Sequence, residues 1–157
     1  MENKERFEVV ISGLGGSGLL TAGKVLAEAG TLVYKNVFYL PNYGPQMRMG
    51  ECECTVSLSN DNITSQGSLN PPAALVFGTG ALKDTGNRVR PGGKLFVDST
   101  LVQEKLERED IEIYYIPASK MAMEIGSPLV SNIILLGAYL EKTKALPENA
   151  ILDALAK

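Results

Sequence analysis

The sequence has no histidine and only two cysteines, Cys52 and Cys54. Without histidine there is no Ser–His–Asp or Cys–His nucleophile, and the commonest general base is gone. Two cysteines are too few for an iron–sulfur cluster or a four-cysteine zinc site, and no histidine can complete a mixed one. There is no basic run and the net charge is −3, which argues against nucleic acid as the main partner. No apolar stretch approaches the ~20 residues that cross a bilayer. The opening Met1-Glu2-Asn3-Lys4-Glu5-Arg6 has neither the apolar centre nor the cleavage site of a signal peptide. A cytoplasmic chain with no membrane partner is expected, poorly equipped to do chemistry alone.

What is present is ordinary for a globular protein. The 157 residues are 45% hydrophobic and 21% charged, enough for one domain with a real core. The densest signal is Val9-Val10-Ile11-Ser12-Gly13-Leu14-Gly15-Gly16-Ser17-Gly18, an apolar run ending in glycines and followed by a helical pattern. Gly13, Gly15 and Gly18 fit G-x-G-x-x-G, and Gly16 adds a fourth glycine. Such a turn lets backbone N–H groups and the positive end of a helix dipole face a phosphate. It serves equally as a tight strand-to-helix turn. A dinucleotide site also needs an acid about 20 residues on, at the end of the second strand, to hold the ribose. Here that strand ends Phe38-Tyr39-Leu40-Pro41, and Glu28 falls within the helix.

The apolar pattern predicts strands at residues 8–12, 32–40, 51–59, 73–77, 94–98 and 111–116. The third is the clearest. Cys52, Cys54, Val56 and Leu58 alternate with Glu51, Glu53, Thr55, Ser57 and Ser59, giving one apolar and one wet face, which suits an antiparallel or edge strand. Helices are predicted at 18–29 with Gly30 as the stop, at 101–109 with charges outward, and at 119–125 stopped by Gly126. Another runs over 127–140, with Ser127 as N-cap and Pro128 at the first helical position. Residues 79–83 begin a short helix or loop. A last helix starts near Pro147 and stops at Lys157 in mid-pattern, as expected of a chain trimmed at its C-terminus. Gly137 lies inside a helix, where it costs stability, so a close packing contact is expected there.

This alternation predicts an α/β fold: one Rossmann-like domain over residues 1–157, with a mixed, largely parallel sheet and helices on both faces. Ligands of such folds sit past the carboxyl ends of the strands, which selects the loops 13–18, 41–50, 78–80 and 98–100. Cys52 and Cys54 share one face of a strand, in phase with Val56 and Leu58, and read as small apolar residues under a helix rather than a redox pair. The loop Asn42-Tyr43-Gly44-Pro45-Gln46-Met47-Arg48 is stiffened by glycine and proline. Arg48 either holds a phosphate or carboxylate by its fork or faces a partner or solvent beside a structural turn. Asn132 sits in an apolar helix and needs a partner, such as a neighbouring loop to cap. Ser127 and Ser131 read as a cap and a helix-surface residue, not as nucleophiles.

Several of these pieces occur together in one family. Gly13-Leu14-Gly15-Gly16-Ser17-Gly18, Ala22-Gly23-Lys24-Val25-Leu26-Ala27, Tyr43-Gly44-Pro45-Gln46-Met47-Arg48-Met49-Gly50 and Val56-Ser57-Leu58-Ser59 resemble the gamma subunit of 2-oxoacid:ferredoxin oxidoreductases, a pyruvate/ketoisovalerate oxidoreductase catalytic-type domain. Ile116-Pro117-Ala118 and Asn132-x4-Gly137-Ala138 also fit, so the resemblance runs from about residue 8 to 155. The Tyr-Gly-Pro-x-Met-Arg form looks more like the 2-oxoglutarate type than the pyruvate type. The family has Gln where Ser17 stands, Arg-Gly-Gly where this chain has Arg48-Met49-Gly50, and often Ser-Pro in place of Ser65-Gln66.

The resemblance implies a subunit of an enzyme that oxidatively decarboxylates a 2-oxoacid, here 2-oxoglutarate. The products are an acyl-coenzyme A and CO2, and two electrons pass to ferredoxin. Thiamine diphosphate and iron–sulfur clusters sit on partner subunits of alpha, beta and delta type, and none is held tightly by this chain. Coenzyme A lies at the subunit junction. Gly13, Gly15, Gly16, Ser17 and Gly18 present N–H groups to its phosphate or to a neighbouring subunit, with Tyr43, Gly44 and Arg48 on the second loop. No catalytic residue or metal ligand is expected, and the isolated chain is expected to be inactive, with a homodimer replacing missing partners. Two other readings stay open: a free-standing nucleotide-binding domain, and a purely structural assembly subunit with an empty glycine turn.

Overall fold

The computed structural model describes residues 6–14, 18–42, 51–63 and 69–156. In chain order the elements are β1 (Arg6–Leu14), α1 (Leu19–Thr31), β2 (Asn36–Asn42), β3 (Glu51–Ser59), β4 (Ala73–Phe77) and α2 (Thr79–Arg88). There follow β5 (Lys94–Asp98), β6 (Glu112–Ile116), α3 (Ala118–Glu124), a single 3-10 turn (Pro128–Val130), α4 (Ser131–Thr143) and α5 (Glu148–Leu155). The six strands form one sheet in the order β2-β3-β1-β4-β5-β6. β1, β4, β5 and β6 are parallel, while β3 runs antiparallel to both β1 and β2. The mixed, largely parallel sheet with helices on both faces is therefore as predicted.

The period-two pattern decides which side chain faces which layer. Val9, Ile11, Cys54, Val56, Leu58, Leu75, Phe77 and Phe96 pack beneath α1, α4 and α5. Val10, Ala74, Val76, Leu95 and Val97 face α2 and the segment carrying Val102. Full burial of each larger aliphatic or aromatic side chain contributes about 1.5–3 kcal/mol relative to exposure. Phe96 is held from both sides, stacked on Tyr114 at 5.0 Å and edge-on to Tyr139 at 5.9 Å.

Four local expectations are corrected. Gly30 does not stop α1. It is buried inside that helix, and a Cβ there would collide with Leu58 Cδ2, so its job is close helix–sheet approach. Residues 101–109 form no helix. Their polar groups are drawn into tertiary bonds: Leu106 N–H donates to the Tyr115 hydroxyl at 3.0 Å, and Arg108 Nη1 donates to the carbonyls of Val89 and Gly86 at 2.6 and 3.0 Å. Gly137 makes no close contact; a Cβ there would meet nothing within 4 Å. Ser127 opens the 3-10 turn without a side-chain cap, and α4 begins only at Ser131, which is buried rather than at the helix surface.

Smaller differences follow the same physics. Residues 79–83 are the start of the longer α2. The second strand begins at Asn36, after the chain leaves α1 through backbone bonds from Val33 and Tyr34 to the Gly30 carbonyl. The second face of β3 is wet only in its first half. Ser57 and Ser59 are buried, with Ser57 Oγ donating to Glu8 Oε2 at 3.5 Å.

Candidate functional site

The register puts one set of loops at one edge of the sheet. Gly13 lies beside Phe77, Leu14 beside Glu51, and Asn42 beside Glu53. The carboxyl ends of β1, β2, β4, β5 and β6 therefore share an edge with the start of β3. Of the predicted site residues, Gly13 and Gly18 stand there. Gly15, Gly16, Ser17, Tyr43, Gly44 and Arg48 lie outside the described residues.

Gly18 is the N-cap of α1 and adopts φ 79°, a left-handed conformation that glycine takes without strain. Its carbonyl accepts from Ala22 N–H at 3.0 Å and from Asn132 Nδ2 at 2.9 Å. Asn132 is buried, and its Oδ1 accepts the Ile133 N–H at 2.8 Å. The polar residue expected to cap a neighbouring loop thus ties α4 to the glycine turn. α1 has no side-chain cap and no acid in its first turn. The N–H groups that begin a 13-residue helix face the ligand edge with no carboxylate of their own helix over them.

Two features of this edge were not read from the sequence. The Glu51 carboxylate lies against Gly80, where a Cβ would strike it, so a carboxylate from the start of β3 stands beside the first turn of α2. Asp98 is fully buried, and its oxygens are consumed by its own chain. Oδ1 accepts the N–H of Thr100 at 3.1 Å and of Ser119 at 3.2 Å, and Oδ2 accepts the Ser119 hydroxyl at 2.6 Å. An isolated acid ending an apolar strand was the available signal, but two of its three bonds come from a helix that begins 20 residues later along the chain.

The missing ribose acid has a topological reason. In a dinucleotide fold the second strand adjoins the first. Here β3 stands between them, so the end of β2 is about 10 Å from β1 at the usual strand spacing. An acid at that end would not serve the turn after β1.

Cys52 and Cys54 are buried and unpaired, as the packing reading expects. Burial, followed by the charges of Cys52 and Glu53, pushes the Cys54 thiol from its ordinary 9.0 up to about 12. Among the described residues no group of three or more His, Cys, Asp or Glu could hold a metal. The native chain is expected to resist thiol alkylation at pH 8 and to react fully once denatured. Because the folded thiol holds its proton to higher pH than the unfolded one, its stabilising contribution is complete below about 9 and is lost as pH rises toward about 12. Rapid labelling of native Cys54 at pH 8 would contradict this.

Residues 8–157 match the family described as Pyruvate ferredoxin/flavodoxin oxidoreductase. The chain is 33% identical over 161 residues to the 2-oxoglutarate synthase subunit KorC of Methanocaldococcus jannaschii, covering 98% of this chain and 86% of that protein. It superposes on the keto/oxoacid ferredoxin oxidoreductase gamma subunit of Geobacter sulfurreducens with a TM-score of 0.84 and 29% identity, over 96% of this chain and 83% of that one. The 2-oxoglutarate:ferredoxin oxidoreductase of Magnetococcus marinus, solved with 2-oxoglutarate, coenzyme A and succinyl-CoA bound, shares the fold at a TM-score of 0.85 and 23% identity. That match covers 99% of this chain but only 27% of the other. The chain belongs to the pyruvate ferredoxin/flavodoxin oxidoreductase family, as a gamma subunit of the 2-oxoacid:ferredoxin oxidoreductase type.

Proposed function

We propose that this gamma subunit completes an oxidoreductase acting on 2-oxoglutarate. The whole enzyme would take a 2-oxoacid and coenzyme A to an acyl-coenzyme A and CO2, with two electrons passing to ferredoxin. The observation that carries the chain's own part is the uncapped start of α1 beside Gly18, locked by Asn132 at the ligand edge. Bare N–H groups at a helix start are suited to a phosphate. Gly13, Gly15, Gly16, Ser17 and Gly18 would present that turn to coenzyme A, and Tyr43, Gly44 and Arg48 would face it from the loop between β2 and β3. The relative from M. marinus, bound to coenzyme A, supports this choice of anion.

The residues of this chain do not fit thiamine diphosphate chemistry or an iron–sulfur cluster of its own. Its two thiols are core residues, Cys54 is held protonated, and there is no histidine. Those groups would belong to alpha, beta and delta-type partners. Met121, Met123, Ile125 and Leu129 are each exposed on α3 and the segment just after it, which supports a partner subunit there.

In the assembled enzyme, Arg48→Ala is expected to raise KM for coenzyme A about tenfold, the loss of one charge-assisted contact worth about 1.5 kcal/mol. Steady-state dye reduction with 2-oxoglutarate and varied coenzyme A measures it. An unchanged KM and turnover would remove Arg48 from the site. A chain recovered alone from its cells with nucleotide bound would favour the free-standing nucleotide-binding domain instead.

A further inference from the structure

We infer that a cleft at the opposite edge of the sheet from the glycine turn binds a compact phosphate-bearing small molecule. The cleft encloses about 360 Å³. It lies where β1 begins, beside Pro72 and Ala73, the turn Arg90-Pro91-Gly92-Gly93, Lys94, and the last turn of α4. Among the described residues its lining carries four cations, Arg6, Arg90, Lys94 and Lys142, against one carboxylate, Glu8. The chain as a whole is acidic, with a net charge of −3, so this excess is local.

Two of the four cations are already committed. Arg6 Nη2 pairs with Glu8 Oε2 at 3.2 Å, and Lys94 Nζ with Glu112 Oε2 at 3.3 Å. Arg90 and Lys142 make no salt bridge among the described residues. Lys142 Nζ instead rests 5.3 Å over the Tyr114 ring. The counterweights to their field are Glu8, Glu112 and the carbonyl end of α4.

The Arg90 turn is fixed to two neighbouring segments and by one bond within itself. Arg90 N–H donates to the Pro71 carbonyl at 3.0 Å, Gly92 N–H to Asp110 at 2.7 Å, and Gly93 N–H to Arg90 at 2.9 Å. The guanidinium is therefore carried on an ordered backbone, which lowers the entropy lost on binding. An arginine fork and a lysine point charge at one concavity are the pair that recognises phosphate. Phe7, Pro72 and Pro91 supply apolar wall for the organic part of the ligand. The volume is at the low end of ligand pockets, about 300–1,000 Å³. It suits a phosphate monoester or a diphosphate and is too small for a dinucleotide.

The test is calorimetric titration of the whole chain with inorganic pyrophosphate at about 0.1 M salt, where exposed charges more than ~10 Å apart are screened. The native chain is expected to bind saturably at this cleft, counted apart from any binding at the glycine turn. The double substitution Arg90→Ala/Lys142→Ala should weaken binding about tenfold or more. Lys83→Ala/Lys105→Ala changes the net charge equally on another face and should leave binding within about twofold. Absence of saturable binding by the native chain overturns the proposal, and so does an equal loss in both double variants. Arg90 and Lys142 are exposed, so neither truncation opens the core. Should the double variant fail to fold, Arg90→Gln and Lys142→Gln each have to weaken binding about threefold, and no change in either overturns it.

Discussion

Asp98→Ala is expected to lower the unfolding free energy by about 2–4 kcal/mol, although Asp98 has the position of a catalytic acid. It ends a central parallel strand at the ligand edge and is fully buried. Its two oxygens accept three hydrogen bonds, from Thr100 N–H, Ser119 N–H and the Ser119 hydroxyl. Thr100 Oγ1 then accepts the Lys120 N–H at 3.1 Å, so the turn after β5 and the first turn of α3 form one unit. Alanine would leave both N–H groups without acceptors and remove a negative charge from the start of a helix. Total stabilities of such domains are about 5–15 kcal/mol, so the loss would be a large share. Urea unfolding should show a lower midpoint at unchanged slope. Asp98→Asn, which keeps one acceptor, should lose about half as much. A loss under about 1 kcal/mol for alanine would mean that these bonds are not holding the turn.

Gly13→Ala is expected to cost about 2–3 kcal/mol, a drop of about 4–12 °C in Tm. Gly13 sits in the middle of the sheet, between Cys52 on β3 and Phe77 on β4. A Cβ there would lie 2.8 Å from Phe77 Cβ and 3.0 Å from the Phe77 carbonyl carbon. Backbone in a central strand cannot step aside as the tip of a flexible side chain can. The first glycine of the fingerprint is thus required by the strand next to it, before any ligand is considered. Thermal unfolding within about 0.5 kcal/mol of the native chain would refute the steric account and return Gly13 to the ligand.

Strands were the most legible elements. The alternation over residues 51–59, and the apolar runs at 73–77 and 94–98, have the bounds that the sheet shows. Their periodicity reports which face meets the core, and that is local information. Two of the failures share a non-local cause. Residues 101–109 have helical composition, but the Tyr115 hydroxyl and two carbonyls near the end of α2 compete for their polar groups. Gly30 looks like a stop from its neighbours, and only the position of Leu58 turns it into a packing glycine. At the site, the fingerprint marked the turn and Asn132 marked itself as a polar residue in search of a partner. That the partner is the Gly18 carbonyl depends on α4 crossing back over the start of α1, which no window of sequence contains.

The place of β3 between β1 and β2 also sets an order of events on the ribosome. Arg6 pairs with Ser59, Leu14 with Glu51, and Val10 with Ala74, so β1 has no partner in its own neighbourhood. β2 and β3 can zip together as a hairpin as soon as both have emerged. The strand that carries the glycine turn leaves the tunnel before β2 and β3 and waits, with Val9-Val10-Ile11 uncovered, until β3 follows. Each doubling of such a loop adds only about 0.6 kcal/mol of closure entropy, so the wait costs little final stability. It costs time, because non-local strand pairing slows folding. During synthesis, the strand that will carry the ligand turn is the one most open to pairing with the wrong chain.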